Sequence, residues 1–297
     1  GLSQTEIASE KYIFVDILKD NPQYYLNNSA YHSLSFLAKW LDSSIRLHMQ
    51  AHPTRDFSRK YLGCDYGKFE AYYVLGIRED VKEPYIRLGF QRKDITKEIW
   101  KKIVETQDIG EMDSCFEKIP IKKGDVIYIP GGMPHAIGEG VFMLEMMEPS
   151  DLVVRCEFSR EGIIVPPEAR FMGKGIDFCM NIFDYTYHSK EDILRNFFLT
   201  PEPIHKESNV LIERLVPGSI SGCFETERIT IHNGHSEINL DNRYAVLLCT
   251  KGNGTVESGY YAYPVSLLDS FFITANTQKI SVTTTEEIEL CLIKPTH

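Results

Sequence analysis

The sequence predicts a mainly β protein in two parts: a larger domain interrupted by helices, and a smaller one built almost wholly of strands. Three observations predict it. Short apolar segments rich in β-branched and aromatic residues recur at close spacing, the signature of a barrel or sandwich. Helical periodicity is confined to a few short windows. Pro201-Glu202-Pro203 reads as a linker, beyond which almost every segment is strand-like. The expected domains are therefore 1–200 and 201–297.

Residues 7–18 place Ile7, Tyr12, Ile13, Val15, Ile17 and Leu18 in an amphipathic helical pattern that Asn21-Pro22 stops. Residues 45–52 alternate, with Ile45, Leu47, Met49 and Ala51 on one face of a strand and Arg46, His48, Gln50 and His52 on the other. Residues 54–62 read as one or two helical turns capped by Thr54, followed by strands at 69–77 and 85–90. Ile99, Trp100, Ile103 and Val104 form one stripe of a helix over 96–106, with Asp94 and Thr96 as capping candidates. Strands are expected at 119–122, 126–129, 135–137, 141–147 and 152–158, with turns at Lys123-Gly124-Asp125 and Pro130-Gly131-Gly132. A helix capped by Ser189 closes the domain at 190–198. In the second domain strands are expected at 209–216, 222–231, 236–240, 244–250, 254–256, 270–273 and 288–293, with a hairpin turn at Gly252-Asn253-Gly254.

Composition narrows the function classes. The chain has 297 residues, 43% of them apolar and 25% charged, which is the balance of a globular protein and not of a disordered one. A net charge of −10 argues against a nucleic-acid partner. No window approaches the roughly 18 apolar residues of a membrane span, and the opening residues lack a secretory pattern. Seven scattered cysteines without a Cys-x-x-Cys pair indicate neither a disulfide framework nor a thiolate zinc knuckle. The expected setting is a cytoplasmic protein, monomeric or weakly homo-oligomeric.

Four residues stand out for chemistry: Gln50, His52, Glu70 and His135. A strand puts Gln50 and His52 on one face about 6–7 Å apart, Glu70 opens another strand, and His135 follows the turn at 130–134. Two imidazoles, a carboxylate and an amide oxygen suit a borderline divalent ion such as zinc, with a coordination position left open. From spacing alone, a hydrogen-bonded or solvated histidine remains the alternative at each position. His232 and His235 in the second domain are separated by Gly234 and read as solvated loop residues.

At these positions the sequence resembles a known family. The segment from Gly124-Asp125 to Pro134-His135 resembles the second cupin motif. Leu47-His48-Met49-Gln50-Ala51-His52-Pro53 is similar to the Leu-Ser-x-Gln-x-His-Pro segment of type I mannose-6-phosphate isomerases, and Gly67-Lys68-Phe69-Glu70-Ala71-Tyr72-Tyr73 to their Gly-Lys-x-Glu-x-Trp-Tyr segment. Leu144-Glu145 followed by Ser150-Asp151 and Arg155 resembles their Leu-Glu and Ser-Asp-x-x-x-Arg elements.

The resemblance implies two cupin barrels, metal-bearing over 1–200 and metal-free over 201–297. It implies one zinc ion per chain, held by Gln50, His52, Glu70 and His135. The reaction it implies interconverts mannose-6-phosphate and fructose-6-phosphate through a cis-enediol. Lys68 would be the active-site lysine, Arg155 would meet phosphate or enediolate charge, and Glu145 would take part as acid or base.

Four departures stand against that pattern. His48 replaces a usual Ser, Ala71 a residue commonly polar or small, Tyr72 a usual Trp, and Met147-Glu148 a place where Gln or Asn is common, which puts a negative charge near the sugar site. The family's opening strand segment is also absent from this sequence. These departures leave two alternatives, a non-catalytic sugar-phosphate-binding bicupin and, less favoured, an iron-dependent cupin oxygenase.

Overall fold

The computed structural model describes residues 4–7, 10–27 and 33–296. The chain is mainly β, and every pair of its named strands is antiparallel. It divides into two compact units, one spanning Leu37–Thr200 and the other joining Gly1–Phe36 to Pro201–His297. Residues 1–36, read from sequence with the first domain, group with the C-terminal unit. The reason is long-range aromatic packing that no local pattern announces. Phe36, fully buried, stacks on Tyr244 at 5.7 Å and lies 6.0 Å from Phe224, while Phe14 meets Phe272 edge-on at 4.9 Å.

Unit Leu37–Thr200 holds two five-stranded sheets. The first runs in the order Phe198–Leu199, Val126–Ile129, Glu70–Ile77, Val141–Met147, Leu37–Ser43. The second runs Val154–Arg155, Gln50–Ala51, His135–Ile137, Tyr85–Leu88, Ile119–Pro120. Apolar side chains from both sheets, among them Tyr72, Val74, Leu88, Ile127, Ile137 and Met143, form one buried cluster. Met49, Ala51, Ala136 and Val154 belong to a second cluster with the helix Lys97–Thr106. That helix forms as its stripe predicts. Thr96 Oγ1 accepts from the Ile99 amide, Trp100, Ile103 and Val104 are buried, and Gln107 ends it in a left-handed conformation.

The other unit holds a six-stranded sheet, Glu202–Lys206, Val210–Val216, Phe224–Ile231, Ile288–Pro295, Ala245–Lys251, Ser270–Ile273, and a four-stranded one, Gly234–Asn239, Lys279–Thr284, Asn253–Ser258, Tyr261–Ser266. Ile229, Leu247, Val256, Val282 and Leu290 are among the residues of its core.

Several local expectations need correction. The helix expected over 7–18 starts only at Phe14 and runs to Asp20, because Glu10–Ile13 is a strand paired with Gln4–Ile7. The Pro201–Pro203 linker opens into the edge strand Glu202–Lys206, with a bulge between Pro203 and His205, where proline costs no ladder bond that a partner needs. Strands Tyr261–Ser266 and Lys279–Thr284 went unread, since their burial depends on cross-strand partners. No helix among the described residues is long and apolar enough to cross a membrane.

Candidate metal centre and active site

Register delivers the donors. Gln50 lies directly opposite His135 in one ladder and opposite Arg155 in the next, while Glu70, at the start of its strand, faces Ile129 on one side and Met147 on the other. Two glycines let the backbones close in. A Cβ at Gly67 would sit 2.5 Å from the Arg55 nitrogen, and one at Gly131 would sit 2.7 Å from the Pro53 oxygen, so any side chain there would push the donor-bearing segments apart.

One nitrogen of His52, one of His135 and one oxygen of Glu70 lie within 4.8 Å of one another, all on buried residues, and this is the one such group of three among the described residues. His52 Nε2 is 3.2 Å from Glu70 Oε1, and His135 Nε2 is 3.3 Å from Glu70 Oε2. Backbone carbonyls set the tautomers. His52 Nδ1 donates to Leu152 O at 2.8 Å and His135 Nδ1 to Met133 O at 3.0 Å; a carbonyl only accepts, so each Nδ1 carries a proton, and Nε2 is the nitrogen that each ring turns toward the carboxylate. The Gln50 side chain lies next to the three, but through its amide nitrogen, 3.3 Å from His135 Nε2, and not through the oxygen expected as a ligand.

The electrostatics fit a cation at this point. Burial pushes the His52 imidazole down to about 4, against the pull of Glu70, so it is neutral at pH 7. Burial works against the Glu70 charge, but His52, His135 and Lys68 outweigh it and hold the carboxyl well below the usual range. Glu70 Oε1 is buried and makes no aligned hydrogen bond among the described residues, although Lys68 Nζ lies 2.6 Å away. The Lys68 ammonium offsets part of the negative charge, and the two imidazole nitrogens and the carboxylate still converge on one point as a cation's ligands do. Two imidazoles, a carboxylate and an amide are the ligand types of a divalent transition metal.

The expected catalytic residues lie at unequal distances from this centre. Lys68 is buried, ion-paired to Glu70 and 3.5 Å from His52 Nε2. Glu145 is also buried and hydrogen-bonded to Glu70; burial and the Glu70 charge push its carboxyl up, with Lys68 and Lys39 opposing. Arg155 is next to Gln50 in register, and its Nη1 donates to Ala169 O at 2.7 Å. Tyr72, read from sequence only as a departure from Trp, donates its hydroxyl to Glu70 Oε2 at 2.5 Å. Its signal was the period of two that puts Lys68, Glu70 and Tyr72 on one strand face.

Two other departures find partners. His48 Nε2 lies 3.3 Å from Ile163 O, and the Glu148 charge, expected to face the sugar site, is taken by Arg55 and the Phe69 amide. In the other unit His232 pairs with Glu287 and His235 contacts Thr283, both on exposed groups.

The raised Glu145 carboxyl gives a signed expectation for the metal-free chain. A carboxyl whose pKa is higher folded than unfolded stabilises fully below the unfolded value, and that contribution is lost as pH rises above about 4.3. Glu145→Gln should therefore gain on the parent, by up to about 1.4 kcal/mol per pH unit, until Glu145 itself ionises. Urea midpoints of both chains in chelator across pH 4 to 8 check this; parallel curves would refute it.

No family model matches the chain. The mannose-6-phosphate isomerase ManA of Bacillus subtilis (strain 168) is 24% identical over 243 residues, which are 77% of this chain and 65% of ManA. The mannose-6-phosphate isomerase of Streptococcus mutans is 31% identical over 162 residues, 54% of this chain and 48% of that protein. The chain thus spans less than two thirds of either relative. Among solved structures, the mannose 6-phosphate isomerase from Bacillus subtilis superposes with a TM-score of 0.76 at 18% identity, covering 97% of this chain and 83% of that one. A phosphomannose isomerase variant from Salmonella typhimurium gives 0.72 at 14% identity, covering 100% and 88%. These superpositions establish a shared fold. The curated relatives it resembles over part of their length carry the name mannose-6-phosphate isomerase.

Proposed function

We propose that this chain is a zinc-dependent aldose–ketose isomerase that interconverts mannose-6-phosphate and fructose-6-phosphate, with each unit a cupin barrel and only Leu37–Thr200 bearing metal. The observation that carries this is the convergence of His52, Glu70 and His135, with Lys68 and Glu145 against the same carboxylate. The paired antiparallel sheets of each unit support the barrel reading.

Gln50, through its amide oxygen, would join His52, Glu70 and His135 in holding the ion. When bound, zinc supplies a Lewis acid that polarises the sugar carbonyl. The chain's own residues do the rest. Glu145, kept protonatable near neutral pH by burial beside Glu70, takes the C2 proton and returns it to C1 on the same face, passing the sugar through a cis-enediol. Lys68 presents its ammonium to the oxygen on which charge builds. Arg155, one ladder step from Gln50, binds the phosphate with the N–H groups not given to Ala169.

The test is zinc content together with a coupled isomerase assay. Purified chain should hold about one zinc and convert fructose-6-phosphate to mannose-6-phosphate, and His135→Ala should lose both. A chain that holds zinc yet leaves sugar phosphates unconverted would be a binding protein, and the enzymatic reading would fall.

A further inference from the structure

Glu148 has no part in the chemistry above, yet it is only 2% exposed. Its Oε1 accepts from Arg55 Nε at 2.7 Å and from Arg55 Nη2, and its Oε2 accepts from the Phe69 amide at 3.0 Å. The Glu148 amide in turn donates to Phe69 O at 3.0 Å.

Each part of this clasp is a short step from a site residue. Arg55 follows His52 by three residues, Phe69 stands between Lys68 and Glu70, and Glu148 follows Glu145 by three. Backbone bonds run alongside, from Lys68 N to Pro53 O at 3.1 Å and from Ser150 Oγ to Gly67 O. The Phe69 amide, which links the two chemistry-bearing residues, hangs on the Glu148 carboxylate. A carboxylate buried this deeply needs a counter-charge, and Arg55, with a side chain 32% exposed, supplies it from the rim.

We propose that Arg55 and Glu148 are a positioning pair for the metal centre: Arg55 neutralises Glu148 so that Glu148 can hold the Phe69 amide, and with it the backbone that presents Lys68 and Glu70. The proposal rests on the metal-centre reading. It makes a prediction that loss of side-chain bulk does not. Arg55→Met leaves a buried charge without its partner, so the carboxylate seeks water and releases Phe69. Adding Glu148→Gln removes the charge but keeps an oxygen for the Phe69 amide, so the second substitution should repair the first.

Two readouts test it: zinc affinity by competition with a chromophoric chelator, and hydrogen exchange at the Phe69 amide in metal-free chain. Arg55→Met should weaken zinc binding about 10- to 100-fold, as loss of a group that orients ligands does, and speed Phe69 exchange. Arg55→Met/Glu148→Gln should return both to within about threefold of the parent, well short of that loss. Parental behaviour in Arg55→Met, or a double variant as weak as the single one, overturns the proposal. Should Arg55→Met fail to fold, Glu148→Gln alone decides: near-parental affinity and exchange support the pair, and a loss of about tenfold or more overturns it. A parent chain that takes up no zinc removes the metal-centre reading, and the exchange pattern then shows separately whether the clasp holds Phe69.

Discussion

Glu70→Leu should leave the chain without zinc and without isomerase activity, and should cost about 3–5 kcal/mol of stability as well, the usual loss when one partner of a buried ion pair is removed. Glu70 is fully buried and serves five neighbours: His52, His135, Lys68, Tyr72 and Glu145. Without its carboxylate the ion loses its only anionic ligand in the group, and the buried Lys68 ammonium loses its counter-charge. Elemental analysis with a denaturation midpoint measures both effects. A Glu70→Leu chain that kept one zinc and parental stability would remove the basis of the site.

Glu145→Gln should show a different pattern: zinc retained, KM little changed, and kcat lowered by about 10²–10⁴, the range that a positioned acid or base contributes. The amide fills the same space but cannot carry a proton, so exchange of the C2 proton with solvent should fall in parallel with turnover. The loss should appear with loaded enzyme, since Glu145 is outside the four donors of the resemblance. Undiminished kcat would assign the proton to another group, with Lys68, buried against the same Glu70 carboxylate, the first candidate.

Local signals were legible where the chain itself sets the geometry. Thr96 and Ser189 cap the helices they precede, because a hydroxyl at that position meets amide groups three residues on. Gln50 and His52 fall on one side of their segment while Met49 and Ala51 enter the core. Arg46, on the same polar face in the pattern, is buried and ion-paired to Asp113 and Glu157. A charged residue inside is stable only with partners, and those lie 67 and 111 residues away.

The sequence by itself determined which residue types could meet an ion, their spacing along each strand, the caps and turns that frame them, and the predominance of β structure. The tertiary structure alone decided that residues 1–36 belong with the C-terminal unit, that carbonyls of Leu152 and Met133 turn both imidazoles, that Tyr72 joins Glu70, and that Arg55 answers the Glu148 charge. The physical reason is range. Periodicity and capping act over three or four residues and are written locally, whereas a buried charge or lone pair is settled by whichever group the fold brings to it, as Glu148 is by an arginine 93 residues away.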